Sequence, residues 1–399
     1  MIRTDCRHFP GDRPCDNHKA HQVTCRDCQI YAPRGKTVLI VKFDAIGDVL
    51  RTTSILPALR EAHGECFVTW LTSPEAKDLF IGNPFVNEVL CNCSEYLPAV
   101  LSREFAVAIN PDASPRSCEI AAVANARTKH GFVASPMGHI VPLNSAAQEW
   151  LTMGGCDQAK KENRKTYQQI LHAICELDDA SQHIVLNLTA SEAAAAGHLR
   201  QSLGLDRCKP VVGLNTGAGG RWKHKKWTVT RFVELVEMML ASMDVSILLL
   251  GGPAERERNE YISSFFGSHV TIATSGTVRE FIKLVDLCDL VVTGDTLALH
   301  VAVGLRKRVV ALFGPTSHHE IDLHGLGSRI VAAADCICCD SANCQRDTTC
   351  MDLITAEEVM GAVVRELGVA VLAGAAPQMG ISVGEQSLKH EPWPSIAGS

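Results

Sequence analysis

The stretch VLIVKFDAIGDVLRTTSILPALREA, residues 38–62, sets a strand against a helix with almost nothing between them. Val38-Leu39-Ile40-Val41 is short and wholly apolar, the pattern of a strand covered on both faces. After Gly47-Asp48 the apolar residues recur at helical spacing, which predicts an amphipathic helix over 48–62. Gly47 permits a tight turn, and Asp48 falls at or near the helix N-cap, where a carboxylate satisfies an orphan N–H. In open α/β sheets ligands sit outside the carboxyl ends of the strands, which is where this carboxylate is delivered. Asp48 is therefore a helix cap, or a base that accepts a proton from a substrate hydroxyl.

Working outward, the same alternation repeats. Strands are expected at 38–42, 66–71, 87–90 and 105–109, with helices at 48–62, 74–80 and 117–125. A polar stretch at 154–166, a helix at 167–177, a short strand at 183–187 and a helix at 191–203 lead into a second run. There, strands at 210–214, 245–250, 270–272, 289–292 and 308–312 alternate with helices at 228–242, 255–266, 277–286 and 296–304, and a last helix is expected at 355–367. Two such runs predict an α/β protein with two doubly wound parallel sheets facing a cleft. The expected division is an N-terminal arm at 1–35, a first domain at 36–185, a second at 186–370 and a disordered Gly/Ala/Pro-rich tail at 371–399.

Composition agrees with that division. The 399 residues leave room for two cores. With 46% apolar and 21% charged residues, the chain is globular rather than disordered. A net charge of −6 offers no attraction for nucleic acid. No apolar run approaches the roughly 18 residues that span a bilayer, and the polar start is not a secretory signal. A cytoplasmic protein is expected, with weak contact at the inner face of the inner membrane.

Seventeen cysteines are many for a reducing compartment, and two groups are clustered. Cys6, Cys15, Cys25 and Cys28 lie in the arm; Cys336, Cys338, Cys339, Cys344 and Cys350 lie at 336–350. Cys25-x-x-Cys28 has the bite of a metal knuckle, although the spacing to Cys15 and Cys6 matches no standard zinc ribbon. Each group is either a structural zinc or iron site or a set of loop thiols.

Two loops of the second half carry anion-binding character. In NTGAGGRWKHKKW, residues 215–227, Gly217-Ala218-Gly219-Gly220 let backbone N–H groups approach a phosphate, and Arg221, Lys223, Lys225 and Lys226 supply positive charge. In TGDTLALH, residues 293–300, Asp295 or Thr296 caps a helix whose first turn opens toward the cleft, with His300 one turn on. Phe313-Gly314-Pro315-Thr316 ends the next strand in another tight turn.

These motifs occur in a fixed order. Val41-Lys42-Phe43-Asp44-Ala45-Ile46-Gly47-Asp48-Val49-Leu50, the Gly-Ala-Gly loop before Lys225-Lys226-Trp227, Gly294-Asp295-Thr296 with His300, Phe313-Gly314-Pro315-Thr316 and Cys350-Met351 together resemble glycosyltransferase family 9. That is the family of the ADP-heptose:lipopolysaccharide heptosyltransferases, and the resemblance runs from about residue 37 to 367. It implies a GT-B fold and inverting, metal-independent transfer from an ADP-heptose to a lipid-linked core oligosaccharide, with no cofactor for catalysis. By residue, it implies Asp48 as catalytic base and Lys225 as the lysine that offsets diphosphate charge. It also implies Thr216, Gly217, Ala218, Gly219, Asp295, Thr296 and His300 as donor-binding residues, Glu255 for the nucleotide ribose, and Lys42 and Gly47 on the acceptor side. No Asp-x-Asp pair occurs, in keeping with charge compensation by Lys225 and helix ends. Two departures, the cysteine-bearing arm and the extra basic residues Arg221 and Lys223, bear on donor and acceptor identity. They leave open a protein-modifying heptosyltransferase with a bound metal. A dinucleotide-dependent oxidoreductase is disfavoured by the absence of G-x-G-x-x-G after strand 38–42. A non-catalytic nucleotide-sugar-binding protein would keep the 215–227 loop but have no need of Asp48.

Overall fold

A computed structural model describes residues 2–368 apart from 44, 93–95, 179–181, 220–222 and 342. Residues 371–399, expected to be a disordered tail, lie outside the described residues. So does Arg221 of the basic loop.

The first sheet comprises β1 (Lys36–Val41), β2 (Cys66–Thr72), β3 (Glu88–Cys91), β4 (Phe105–Asn110), β5 (Ala126–Ala134) and β6 (Ile140–Pro142). Its order is β3-β2-β1-β4-β5-β6, parallel throughout except for the final β5–β6 pair. The second comprises β7 (Val211–Asn215), β8 (Ser246–Gly251), β9 (Val270–Thr274), β10 (Leu290–Gly294), β11 (Arg308–Phe313) and β12 (Gly327–Val331). Its order is β12-β11-β10-β7-β8-β9, all parallel. Written from the other edge, this is the same strand order as the first sheet. Each sheet reverses direction once, between β1 and β4 and between β7 and β10, and crevices open at such reversals. β2 and β7 are buried along their whole length, as the near-continuous apolar runs require.

A single apolar cluster joins the halves, with Ile55 and Trp70 from the first and Ile282, Leu299 and Phe313 from the second. Tyr167 N–H donates to Glu320 O across the same junction at 2.9 Å.

Four expectations are corrected. The helix over 48–62 is two helices, Ile46–Thr52 and Ile55–His63. Pro57 cannot donate to Thr53 and its ring crowds that carbonyl, so one helix cannot run through. The break leaves the Thr53 hydroxyl free to accept from Val185 N–H at 2.9 Å. That bond also explains why 183–187 is not a strand: its backbone is held by a side chain instead of a ladder. Strands β5 and β12 were not expected, since ARTKHGFVA and GSRIV carry charge and glycine amid their apolar positions. Helices Tyr96–Ser102, Ser145–Gly155 and Asp157–Glu162 were likewise not expected, the last two filling most of the segment read as merely polar.

Candidate active site

A cleft with a volume of about 930 Å³ is walled by the loops after β1, β7, β8, β10 and β11, among others. From the first half, Gly47, Asp48 and Arg51 line it; from the second, Gly217, Lys225, Glu255, Asp295 and His300 do.

Asp48 is not the N-cap. Ala45 caps the helix, and Asp48 stands at its third position, reaching back to accept from Ala45 N–H at 3.4 Å with Oδ2. Its other oxygen, Oδ1, accepts from Arg51 Nε at 2.9 Å and lies 2.8 Å from Nη2. The carboxylate keeps 35% of its side chain open, toward the cleft. Burial on its own would raise this carboxyl; the charges of Arg51 and Lys42 outweigh it and hold the group down to about 2. Arg51 is fixed from behind, its guanidinium 3.5 Å above the ring centroid of Tyr167. Lys42 is buried at the end of β1 and paired with Asp112, after β4, at 3.0 Å. Its role is therefore to link the two strands at the reversal and to lend positive charge to Asp48, and it does not line the cleft.

Gly47 lies within the helix at ordinary backbone angles, so a tight turn is not its reason. A Cβ there would come within 2.9 Å of His300 Cδ2. The glycine lets a helix of one half touch a helix of the other.

On the opposite wall, Lys225 Nζ meets Asp295 Oδ2 at 3.1 Å and Asp295 O at 3.3 Å. His300 Nε2 lies 3.9 Å from Asp295 Oδ1. Burial, reinforced by Arg51, pushes the His300 imidazole down to about 4 in spite of Asp295 and Asp48, so it is neutral near pH 7. Burial would raise Asp295, but Lys225, followed by His300 and Arg51, lowers it. Thr296 caps the helix Leu297–Gly304, accepting from Ala298 N–H at 3.2 Å, and the first residues of that helix line the cleft. Neutral imidazole, lysine and a helix start make a wall suited to an anion.

The glycine loop is shaped by its neighbours. A Cβ on Gly217 would lie 2.4 Å from Glu255 Oε1, so only glycine leaves room for that carboxylate. Glu255 Oε2 accepts from Gly252 N–H at 3.0 Å. Gly217, Ala218 and Gly219 all line the cleft; Thr216 does not, because its hydroxyl donates inward to Asn259 Oδ1 at 2.5 Å. The structure thus brings Asp48, Lys225, Asp295, Thr296, His300, Glu255 and the glycines together, and leaves Thr216 and Lys42 behind the surface.

Sequence reasoning missed Arg51, Asn215, Tyr167 and Glu320. Arg51 was legible: it follows Asp48 by three residues on a helix, the spacing at which such pairs meet. Asn215 was not, because its importance is tertiary. Its amide donates to Gly217 O, Thr293 Oγ1 and Thr296 Oγ1 at 3.1–3.2 Å, tying the loops after β7 and β10 together.

The family model for glycosyltransferase family 9 (heptosyltransferase) matches residues 98–351. Lipooligosaccharide heptosyltransferase 2 of Haemophilus influenzae is 26% identical over 114 residues, covering 27% of this chain and 32% of that protein. The chain thus spans about a third of the length of the curated relatives it matches. Among solved structures, the family 9 glycosyl transferase from Veillonella parvula superposes with a TM-score of 0.66 at 17% identity, over 83% of this chain and 97% of that one. E. coli ADP-heptose LPS heptosyltransferase II superposes with a TM-score of 0.61 at 16% identity, over 83% and 98%. At these identities the likeness speaks for the fold, the GT-B arrangement of two parallel-sheet domains about a cleft.

Proposed function

Because the chain belongs to glycosyltransferase family 9, we propose that it moves a heptose, or a sugar of similar shape, from an ADP-linked donor to a hydroxyl of a lipid-linked core oligosaccharide. The observation that carries this reading is the facing of Asp48 and the Lys225–Asp295–His300 wall across one cleft. The relatives, heptosyltransferases and in one case an ADP-heptose enzyme, support the choice of donor.

In this reading the glycine loop and Glu255 take the nucleoside, and Lys225 with the helix start at Leu297 takes the diphosphate. The acceptor hydroxyl approaches from the side of Asp48 and attacks the anomeric carbon opposite the diphosphate. Its oxygen forms the new glycosidic bond while the bond to the diphosphate breaks and that electron pair leaves with the ADP, so the anomeric centre inverts. Asp48 Oδ2 accepts the hydroxyl proton, while Oδ1 stays held by Arg51. A carboxylate pulled down to about 2 is a weak base at rest, and its proton transfer belongs late in the step, when bonding to carbon has made the hydroxyl acidic. Lys225 meets the charge that grows on the leaving diphosphate, and this is the reason for proposing a metal-independent transfer.

Among the described residues no helix is long and apolar enough to cross a membrane. A lipid-linked acceptor would bring the enzyme to the cytoplasmic face of the inner membrane by surface contact. A thermal-shift comparison of ADP-, UDP- and GDP-sugars with NAD tests the donor, since stabilisation grows with ligand concentration over Kd. ADP-sugars should raise Tm most, and ADP release should require the lipid-linked acceptor. Stabilisation by NAD alone would overturn the reading in favour of an oxidoreductase.

A further inference from the structure

The arm has no hydrophobic core. Between residues 2 and 37 only the Cys6 side chain is buried, and the helix Asp16–His21 buries nothing. It is nevertheless folded into a defined shape. Arg7 N–H donates to Ala32 O and Arg34 N–H to Asp5 O, both at 2.8 Å, pinning the two ends of the arm side by side around the Cys6–Pro33 bridge. Segments this short ordinarily need a staple other than apolar burial.

A second observation concerns the thiols of the arm. Cys6, Cys15, Cys25 and Cys28 come from four places in the arm and all line one cavity of about 520 Å³. Asn17 Nδ2 donates to Cys28 Sγ at 3.4 Å, the kind of outer contact that orients a metal-ligating side chain. All four are free thiols. The cavity is remote from the active site: Arg7 pairs with Glu65 at 3.2 Å and Arg34 stacks over Phe67, both at the amino end of β2, whereas the cleft opens at the carboxyl ends.

We propose that Cys6, Cys15, Cys25 and Cys28 hold one thiolate-bound zinc or iron ion that staples the arm. Among the described residues no three His, Cys, Asp or Glu side chains stand close enough to grip an ion as they are arranged. The ion would draw in four thiols that already share a space. Each thiol gives its proton to water as its metal–sulfur bond forms, so uptake strengthens as pH rises. The 336–350 cluster is a different matter, since Cys338 and Cys350 are buried and a Cβ on Gly314 would come within 2.5 Å of Cys350 Sγ. Those two serve as packing groups.

The test is elemental analysis of the purified full-length chain beside two variants. The parent should carry about one equivalent of zinc or iron. Cys25→Ser/Cys28→Ser should lose it, and Cys336→Ser/Cys339→Ser should keep it. Because the first variant could misfold, the parent is also stripped of metal, reduced and titrated with Co²⁺. Intense thiolate-to-cobalt absorption saturating at one equivalent, with four fewer thiols open to a thiol reagent, is the expected result. A parent that carries no metal and takes up neither Zn²⁺ nor Co²⁺ overturns the proposal, as does full retention of metal in Cys25→Ser/Cys28→Ser. These readouts do not depend on sugar transfer.

Discussion

The two sheets share one strand order, yet their reversal points carry opposite equipment. At β1 and β4 the first presents a carboxylate, Asp48, steadied by Arg51 and Lys42. At β7 and β10 the second presents a lysine, a neutral histidine and a helix start. The fold fixes where a ligand can sit; a handful of loop residues decide which charge it meets. In the proposed reaction neither half is complete alone, since a base without a held leaving group, or the reverse, would transfer nothing.

On the donor side the loss should be greatest. Lys225→Ala should lower kcat about 10²- to 10³-fold, the typical loss on removing one preorganised donor from a developing anion. The donor KM should change far less, because the lysine matters most when charge has developed. Steady-state kinetics with and without EDTA checks both parts. A parent enzyme that EDTA silences and Mg²⁺ restores would remove Lys225 from its assigned role.

On the acceptor side, Asp48→Asn keeps the shape and removes the proton acceptor. A fall in kcat of roughly 10²-fold is expected, with donor affinity unchanged by calorimetry. Near-normal turnover would reduce Asp48 to a partner for the Ala45 N–H.

Arg51→Met sharpens the picture by leaving the base and removing its clamp. The carboxyl then loses its principal neighbouring cation, and its pKa climbs from about 2 toward the ordinary aspartate value. The acid limb of the kcat/KM profile should move to higher pH, with about a tenfold loss at neutral pH from the freed carboxylate. An unmoved limb would mean that the limb does not report Asp48.

The smallest effect concerns stability. His300 has a folded pKa of about 4, below its unfolded value, so between those two values the unfolded chain binds more protons. Stability should therefore fall as pH drops from about 6.5 toward 4. His300→Gln should flatten that part of a Tm-against-pH curve by a few degrees. An equal slope in parent and variant would assign it to other groups.

How much of this was legible in the sequence depends on what each residue answers to. The buried strands were readable because burial on both faces leaves only apolar residues, as in Leu248-Leu249-Leu250. Asp48 was placed in the loop after such a strand, whereas Lys225 was singled out from the basic residues around it only by the resemblance to the family. β5 was missed because its Arg127, Lys129 and His130 blur the alternation, and the stretch 183–187 was misread because Thr53, more than a hundred residues away, holds its backbone. The reason for Gly217 was hidden in the same way, since Glu255 claims its space from the turn after β8. Local pattern reports what a residue buries; it does not report who its distant neighbours are.

Gly47 carries a consequence for the pair of domains as a mechanical object. His300 of the second half packs against the α-carbon of Gly47, so a side chain at this position would run into the imidazole. Any larger residue there would displace that imidazole or part the helices that carry Asp48 and His300, and either change falls on the cleft itself.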